Sequence, residues 1–571
     1  MFDKSGRLCL PAGMQTMRIW GTLDPFVEGG EVMGRKVANA GFLDALLAAD
    51  PFDAYHFFQA SPGERDRQRE TLGRRHPGLA EQGKFKFLTR LDLPRCLSDT
   101  AYSVFHLSDC ILYPAWLACL RNSLSREIFP ITSTTHSLSY ASFGRGFLSQ
   151  LWPGTTARDA IVATSTAGLA VVERLFAALR RGYGLDPDRF PAPRLSRIPL
   201  GIDPAGYARS DADAARAARG RLGLPETAVV LLVFGRISHS SKMDLLPLLR
   251  ALQRVLAGGV DPAGVCLVLA GWTDDDPRQV RDPVITLLSG LAANIGLPLR
   301  AFPRPSEADK RALFGLADIF VSLADNPQET FGLTLLEAMA SELPVVASDY
   351  DGYRDLVVDG DTGFLVPTLG LPDTDPWDVL APLCYDNHAQ LLLAQGLAVD
   401  VAATARVLEA LILDPHKRRA MGRGGRARVE AQFSWASVID RHLALWEDLA
   451  ARPVPDRATL GRTRHPSAMA YGEVFAGYAT DRLSDAVRLT WSQTGQAVYR
   501  REDYPVIYEA LSGLIRPEAL RVLLFLARSP CPALTLAGRL AAAVPELDAF
   551  AARFHVVWAL KQDLLEVEGR A

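Results

Sequence analysis

Short apolar runs alternate with longer segments of helical periodicity along most of the chain. In the first part, these runs predict strands at residues 17–23, 54–59, 85–91, 103–109, 129–137 and 160–166. A second series after residue 200 predicts strands at residues 229–235, 265–271, 299–303, 319–324 and 344–349. Continuous apolar strands separated by helix-length segments are typical of parallel sheets that are covered on both faces. The pattern therefore predicts an α/β fold with two tandem, doubly wound, Rossmann-like domains that face a cleft.

The same pattern divides the chain into four parts. Residues 1–200 and 201–450 are the two Rossmann-like domains, and residues 451–465, rich in proline and arginine, predict a linker. Residues 466–571 predict an extra, mainly helical domain, whose three helical stretches and β-like tail resemble a winged-helix module. Because ligands of doubly wound sheets bind beyond the carboxyl ends of the strands, the cleft between the first two domains is the expected site.

The charge balance and the cysteines limit the classes of partner. The 571 residues include 62 Lys and Arg against 65 Asp and Glu, a net charge of −3, so no overall field attracts nucleic acid. The seven cysteines include no C-x-x-C pair, which indicates neither a disulfide framework nor a structural zinc site. The first residues lack the apolar stretch of a signal peptide, and no apolar run approaches the roughly 20 residues that span a bilayer. We expect a cytoplasmic protein without nucleic-acid partners.

Two glutamates mark the most informative segment, residues 329–368. Glu329 and Glu337 are eight positions apart, and the sequence 331–340 favours a helix. On a helix this spacing is about 12 Å, which suits an elongated ligand with hydroxyls at both ends and an anion between them. The first amides of such a helix have no partner within it and predict a phosphate site. These are the amides of Phe331, Gly332, Leu333 and Thr334.

Two cations follow the first strand of the second series. Arg236 and Lys242 lie in the predicted loop between that strand and the next helix, from which side chains reach phosphate oxygens. Together they would neutralise a departing nucleoside diphosphate without a metal ion. Taken alone, each cation or glutamate would more often be a surface or helix-capping residue, but their combination favours a binding site.

At these residues the chain resembles the retaining glycosyltransferases of family 4, which have the two-Rossmann GT-B architecture. The resemblance covers roughly residues 17–450 and is strongest in residues 198–368, which include IPLGID, GRISHSSKMDLL and the glutamate–seven–glutamate segment ETFGLTLLE. It implies retaining transfer of a hexosyl group from a nucleotide-diphosphate sugar to a hydroxyl of a glycan, lipid-linked or small-molecule acceptor. It also implies that neither a metal ion nor another cofactor is required.

The resemblance assigns roles to the four charged residues of the second domain. Arg236 and Lys242 would hold the diphosphate, Glu329 the donor sugar and Glu337 the ribose hydroxyls. Backbone groups at the start of the helix would complete the donor site. Asp351 stands where the family usually has glycine, so the resemblance leaves the identity of the sugar open.

The resemblance is looser in the first domain. Gly29 and Gly30 of FVEGG resemble the family's glycine loop, which approaches the phosphates and the acceptor. His136 falls where the family often has a histidine near the reacting sugar. The alternatives are a tight turn for the glycines and a hydrogen-bonded core position for the histidine.

Two charged stretches allow a functional and a purely structural interpretation. Residues 274–276 are three consecutive aspartates, and a solvated turn before Pro277 is favoured over a metal site because no further ligand joins them at suitable spacing. Residues 65–95 include nine basic residues, which predict either a solvated helical face or contact with an anionic inner membrane.

Other functions are compatible with the same charged residues. The architecture also suits a sugar-nucleotide epimerase or a sugar-phosphate synthase, which would share the phosphate-binding cations. A non-catalytic sugar-nucleotide sensor is the alternative from a different class. In each case the extra C-terminal domain would dimerise or dock a partner, since nothing in its sequence indicates chemistry of its own.

Overall fold

The computed structural model describes residues 17–29, 34–273, 283–511 and 513–569. They form two compact units that divide after Ser467. The first unit contains two parallel sheets, one for each predicted Rossmann-like domain, and the second contains the extra C-terminal domain.

A seven-stranded sheet forms the first domain. Its strands are β1 (Ile19–Thr22), β2 (Ala54–Gln59), β3 (Phe85–Thr89), β4 (Val104–Leu107), β5 (Ile131–Thr134), β6 (Asp159–Ala163) and β7 (Arg194–Arg197). All pairings are parallel, in the order β3-β2-β1-β4-β5-β6-β7. This is a doubly wound sheet whose crossovers reverse direction between β1 and β4. The six strands predicted in this part are confirmed, and β7 is an additional edge strand.

The second domain repeats the same arrangement. Its strands are β8 (Val229–Ile237), β9 (Val265–Thr273), β10 (Leu299–Pro303), β11 (Ile319–Ser322), β12 (Val345–Ser348) and β13 (Gly363–Val366). They pair in parallel in the order β10-β9-β8-β11-β12-β13, so the reversal lies between β8 and β11. The five predicted strands are confirmed, and β13 is added at the edge. The predicted fold class, two Rossmann-like domains, is therefore confirmed.

Helices connect the strands of both sheets. In the first domain they are α1 (Gly34–Ala49), α2 (Pro62–Arg75), α3 (Pro77–Glu81), α4 (Leu93–Asp99), α5 (Pro114–Leu124), α6 (Phe143–Ser149) and α7 (Thr166–Tyr183). In the second they are α8 (Ala212–Arg221), α9 (Leu246–Ala257), α10 (Pro283–Asn294), α11 (Glu307–Leu316), α12 (Leu333–Ala340) and α13 (Tyr353–Leu356). No helix within the described ranges is both long enough and apolar enough to cross a membrane.

A segment between β13 and the helix that completes the second domain leaves the sheet and returns to it. The short strands β14 (Thr368–Gly370) and β15 (Leu397–Val399) pair antiparallel. They enclose residues 371–396, which we call the excursion, and it carries α14 (Asp375–Leu380) and α15 (Asp386–Gln395). The apolar pattern does not predict this element.

The chain then returns to the first domain. Helices α16 (Val401–Leu413) and α17 (Pro415–Gln432) complete the second domain, and α18 (Trp435–Ala451) packs against α1. Trp446 of α18 donates its indole N–H to Thr132 Oγ1 of β5, at 2.9 Å. The predicted linker includes a further helix, α19 (Arg457–Arg462), which packs against α5.

Alternate side chains of β8 enter two different hydrophobic cores. Val230, Leu232 and Phe234 pack with buried residues of α11 and α12. Leu231 and Val233 pack with buried residues of α9 and α16 on the opposite face. Because both faces are covered, the strand is continuously apolar, and the polar Arg236 follows near its carboxyl end.

The C-terminal unit has its own core. Its helices are α20 (Tyr471–Val474), α21 (Gln493–Arg500), α22 (Pro517–Leu526), α23 (Ala533–Ala543) and α24 (Ala549–Lys561), and its strands are β16 (Arg488–Trp491), β17 (Cys531–Pro532) and β18 (Leu565–Val567). The strands form an antiparallel sheet in the order β17-β16-β18. Apolar side chains of α22, α23 and α24 pack together beneath it. The predicted helices and β-like tail are present, and the resemblance to a winged-helix module stays a prediction.

Two glycines of α17 offer a matched test of its packing beside α12. A Cβ at Gly422 would lie 1.9 Å from the carbonyl oxygen of Glu342, whereas the nearest atom to a Cβ at Gly424 lies at 3.6 Å. We expect Gly422→Ala to lower the midpoint of thermal unfolding, since the gain of about 1 kcal/mol in helix propensity does not offset a forced backbone shift. Gly424→Ala should leave the midpoint unchanged or raise it. Equal midpoints of the two variants in circular dichroism melts would contradict this packing.

Candidate functional site

The predicted site residues of the second domain lie where its strand order reverses. Arg236 is near the end of β8, and Lys242 follows in the loop that leads to α9. Glu329 lies in the loop after β11, the strand next to β8. Ligands of doubly wound sheets bind at this reversal, beyond the carboxyl ends of the strands. Arg236 was predicted in the loop, but β8 extends to Ile237, so it lies on the strand itself.

Lys242 and Glu329 form an ion pair in which Lys242 Nζ contacts Glu329 Oε2. Both side chains are largely buried, with exposed fractions of 16% and 12%. Tyr353 OH donates to the same carboxylate oxygen at 3.3 Å, and Ser322 Oγ lies 2.7 Å from that hydroxyl. Glu329 Oε1 accepts the amides of Thr330 and Phe331, each at 3.2 Å. The carboxylate is thus held by a cation, a phenol and two backbone amides.

The pKa values of the pair reflect these contacts. Burial raises the pKa of Glu329, but the charge of Lys242 and the hydrogen bonds outweigh burial and hold this pKa below its usual 4.5. Burial lowers the pKa of Lys242, and the charge of Glu329 outweighs it in the opposite direction, so the pKa is raised. Both groups are therefore ionised at neutral pH.

Arg236 reaches the loop that carries Glu329 by a second route. Its Nη1 donates to Gln328 Oε1 at 3.1 Å, and Gln328 immediately precedes Glu329. The Nε–Nη2 edge of the guanidinium has no partner among the described residues. This is the edge with which arginine grips two oxygens of one anion. The structure thus brings both cations to one loop, as the sequence predicts.

Helix α12 begins two residues later than predicted. Gly332 has φ 105°, and a Cβ on it would lie 2.5 Å from the ring of Tyr353, so a glycine is required there. Phe331 is buried in the core, and its amide donates to Glu329, so the prediction of a free amide at Phe331 is wrong. The helix starts at Leu333, and the first amides of a helix have no partner within it. Thr334 Oγ1 is buried and has no hydrogen-bond partner in the described part of the chain.

Glu337 is buried on α12, with 5% of its surface exposed. Its Oε1 accepts hydrogen bonds from Tyr207 OH at 2.6 Å and Lys310 Nζ at 2.7 Å. Its Oε2 is buried and has no partner among the described residues, which leaves one acceptor for a ligand or a water molecule. Sequence reasoning missed both partners of Glu337. Tyr207 ends the sequence IPLGIDPAGY, and this motif could have pointed to Tyr207 as a site residue. No sequence pattern points to Lys310.

Two further acids lie at the carboxyl ends of β11 and β12. Burial raises the pKa of Asp325 to about 7, and its Oδ1 is buried without a partner within the described ranges. Asp351 has φ 49°, in the left-handed region usually occupied by glycine. Burial and the nearby charge of Glu329 raise the pKa of Asp351 well above its ordinary range. The residue that departs from the family pattern is therefore an electrostatic neighbour of the predicted donor-sugar glutamate.

His136 follows β5 in the first domain and is held by two acceptors. Its Nε2 lies 2.8 Å from the carbonyl oxygen of Ser108 and 3.0 Å from Asn39 Oδ1. Since a carbonyl only accepts, Nε2 carries the proton and Nδ1 is the acceptor nitrogen. Burial lowers the pKa of His136 to about 4, so the ring is neutral at pH 7.

The remaining sequence predictions, for Gly29, Gly30 and the aspartates 274–276, stay predictions. Gly29 is exposed, and its carbonyl oxygen accepts a hydrogen bond from Lys36 Nζ at 2.8 Å. Gly30 lies outside the described residues, as do the aspartates 274–276. No group of three or more potential metal ligands occurs among the residues that the structure describes.

The basic residues of segment 65–95 are largely paired with carboxylates. Arg65 and Arg69 contact Asp66, and Arg74 contacts Glu70, all on α2. The other pairs are Arg75–Asp44, Lys84–Asp50 and Arg95–Asp92. This pairing offsets part of the positive charge of a solvated surface, and contact with an anionic membrane stays a prediction.

Comparisons with known proteins are consistent with this geometry. The family described as Glycosyl transferases group 1 matches residues 228–373, which include all four charged residues of the second-domain site. D-inositol 3-phosphate glycosyltransferase of Xylanimonas cellulosilytica is 30% identical over 333 residues, which cover 55% of this chain and 74% of that protein. Alpha-maltose-1-phosphate synthase of Mycolicibacterium smegmatis is 26% identical over 390 residues, which cover 66% of this chain and 87% of the relative. Among solved structures, Anabaena HepE in complex with UDP and glucose aligns with a TM-score of 0.49 and 15% identity, covering 76% of this chain and all of that one.

The Lys242–Glu329 pair predicts opposite pH responses for the wild type and a variant. Since the pKa of Glu329 is lowered on folding, its contribution to stability is present above about pH 4.5 and is lost as the pH falls further. In Lys242→Met the buried carboxylate of Glu329 has no cation beside it, so its pKa is raised. Its contribution to stability is then present while it is protonated and is lost as the pH rises through that pKa. We therefore expect Lys242→Met to destabilise the protein by about 3 kcal/mol at neutral pH and by less near pH 5.

The control is the double variant Lys242→Met/Glu329→Gln, which removes both charges. Its midpoint of thermal unfolding should return most of the way to that of the wild type, and this midpoint should depend little on pH over the same range. Thermal unfolding measured at several pH values checks both expectations. A loss in Lys242→Met that is independent of pH would contradict the ion pair.

Proposed function

Because the chain belongs to the group 1 glycosyltransferases, we propose that it transfers a hexosyl group from a nucleotide-diphosphate sugar to a hydroxyl acceptor with retention of configuration. Membership follows from the relative that is 30% identical and covered over 74% of its length. The chain is thus an enzyme that transfers sugars.

The observation that carries the proposal is the convergence of two cations and a helix start at one strand reversal. Arg236 and Lys242 both contact residues of the loop that precedes α12. A diphosphate at this place would be bound by the free edge of Arg236, by Lys242 and by the first amides of α12. These groups would stabilise the negative charge that develops on the leaving diphosphate, which lowers the barrier of transfer.

The carboxylates of the site would bind the two ends of the donor. Glu337 retains an unpaired, buried Oε2 that can accept a hydrogen bond from a ribose hydroxyl. Glu329 would bind the donor sugar, which requires the carboxylate to share its lone pairs with a sugar hydroxyl. Neutral His136 would accept a hydrogen bond at Nδ1 on the acceptor side.

Among acceptors, a small phosphorylated polyol or sugar is favoured over a lipid-linked glycan. The names of the two relatives, D-inositol 3-phosphate glycosyltransferase and alpha-maltose-1-phosphate synthase, each include a phosphate on a small molecule. In the basic segment 65–95, the candidate for contact with an anionic membrane, six of the nine basic residues are paired with carboxylates. The second relative also supports a sugar-phosphate synthase as the second candidate function.

The C-terminal unit is proposed to contact another protein chain, either a second copy or a partner. On α24, Phe550 and Val557 are 69% and 49% exposed. Phe554 stacks on Phe550 with ring centroids 6.2 Å apart, which extends this apolar strip along the helix. Exposed aromatic side chains grouped on one helix face are typical of protein contacts.

The donor and the site are tested by release of nucleoside diphosphate from a panel of UDP-, GDP- and ADP-sugars, with inositol phosphate and glucose 1-phosphate as acceptors. We expect turnover with at least one pair, and Arg236→Met should lower kcat by about 100-fold because it removes charge stabilisation of the leaving group. Arg250→Met, which removes an exposed arginine of α9, is the matched control and should retain full activity. Tight binding of a sugar nucleotide without turnover would contradict the enzyme and favour a sensor.

Metal independence is a separate expectation. Because two cations and a helix start would neutralise the diphosphate, turnover should persist when EDTA is added to protein that has been dialysed against the chelator. Loss of activity on chelation, followed by recovery on addition of Mg²⁺ or Mn²⁺ alone, would contradict this part of the proposal.

A further inference from the structure

A chain of side-chain hydrogen bonds connects the two Rossmann-like domains through the excursion. Arg236 Nη1 donates to Gln328 Oε1 at 3.1 Å, and Gln328 Nε2 donates to Gln390 Oε1 of α15 at 2.9 Å. Gln390 Nε2 then donates to Ser139 Oγ of the first domain at 2.8 Å. The chain begins at a predicted diphosphate-binding residue and ends three positions after His136.

The direction of this chain follows from its first member. A guanidinium only donates, so the Gln328 group facing Arg236 is the carbonyl and the group facing Gln390 is the amide N–H. The same argument orients Gln390, whose carbonyl faces Gln328 and whose N–H faces Ser139. Reversal of either amide would place two donors or two acceptors against each other. One arginine therefore fixes the orientation of both glutamines.

Burial makes these contacts energetically important. Gln390 has no exposed surface, although it lies on a helix of the excursion. Both polar ends of its side chain are satisfied, and removal of one partner would leave a buried group unpaired. A second contact holds the same helix to the first domain, because the amide of Ala141 donates to Asp386 Oδ1 at 3.2 Å.

We propose that Gln328 and Gln390 are positioning residues that orient Arg236 for the diphosphate and tie its orientation to the His136-bearing loop of the first domain. This inference rests on the proposed function, in which Arg236 binds a diphosphate. The glutamine contact uses Nη1 and leaves the Nε–Nη2 edge of the guanidinium for the anion. Without the glutamines the arginine keeps its charge but its side chain is no longer held in one orientation. Binding of an anion would then have to order that side chain, which costs conformational entropy.

The excursion is therefore part of the donor site, although it follows the glutamate–seven–glutamate segment by more than a strand and a helix. An arginine held from the first domain would grip the leaving diphosphate best when the His136 loop is in place. The acceptor side would in this way influence departure of the leaving group.

Binding of UDP, GDP and ADP by isothermal titration tests the inference without requiring an acceptor or turnover. The probe is whichever of the three binds the wild type. Arg236→Met should weaken its binding by about 30-fold, and Gln390→Ala and Ser139→Ala by about fivefold each, in full-length protein that is still folded at the temperature of the titration. Gln395→Ala is the matched control, since it removes an exposed glutamine from the same helix, and its binding should equal that of the wild type.

The decisive measurement is the double variant Arg236→Met/Gln390→Ala. If Gln390 acts through Arg236, the double variant binds as weakly as Arg236→Met alone, and the fivefold effect disappears in that background. Independent, multiplicative losses would overturn the inference while leaving the proposed function in place. Failure of all three diphosphates to bind the wild type would overturn the proposed function and this inference with it. A purely structural role of Gln390 would instead give the same loss of binding in both backgrounds, whatever the change in the unfolding midpoint.

Discussion

The buried pair of Lys242 and Glu329 is the interaction on which the second-domain site depends. Each charge alone would be expensive to bury, and each is ionised because the other lies beside it. The pair joins the loop after β8 to the loop after β11, across the point where the sheet reverses its strand order. Tyr353 and two backbone amides hold the carboxylate from the remaining sides. In the proposed function, a diphosphate bound at this site would meet a lysine that is already desolvated and positioned, so little reorganisation would be required.

The two domains bridge the reversal of strand order with different kinds of contact. In the first sheet the reversal lies between β1 and β4, where buried Asp24 after β1 accepts the amide of Ser108 after β4 at 2.7 Å. Burial raises the pKa of Asp24 to about 6. In the second sheet the reversal is bridged by a full ion pair instead. The first domain therefore offers hydrogen-bonding groups that include a neutral histidine, whereas the second places the positive charge of Arg236 beside a balanced lysine–glutamate pair.

Much of this could be predicted from sequence, for reasons visible in particular residues. The central strands are continuously apolar because both faces are covered, so β8 and β9 were evident from the sequence. Edge strand β7 has an exposed arginine at each end and two half-buried residues between them, and it carries no such signal. Glu329, Lys242 and Arg236 were found because the motif places them at fixed offsets. The start of α12 was misplaced by two residues because the left-handed conformation of Gly332 depends on the ring of Tyr353, a distant neighbour. Lys310, Gln328 and Gln390 could not be found, since their roles arise only from contacts across the fold.

The antiparallel pairing of β14 with β15 has a consequence for how this architecture diversifies. Because Gly370 and Leu397 face each other, the chain leaves and re-enters the second domain at adjacent points. Closing a loop there costs conformational entropy that grows only slowly with loop length, so the intervening helices can be lengthened, shortened or replaced while the parallel sheet is undisturbed. The length and sequence of the excursion can therefore vary without displacing the strands of the sheet, and the contacts of Gln390 with Gln328 and Ser139 limit how far that variation can go.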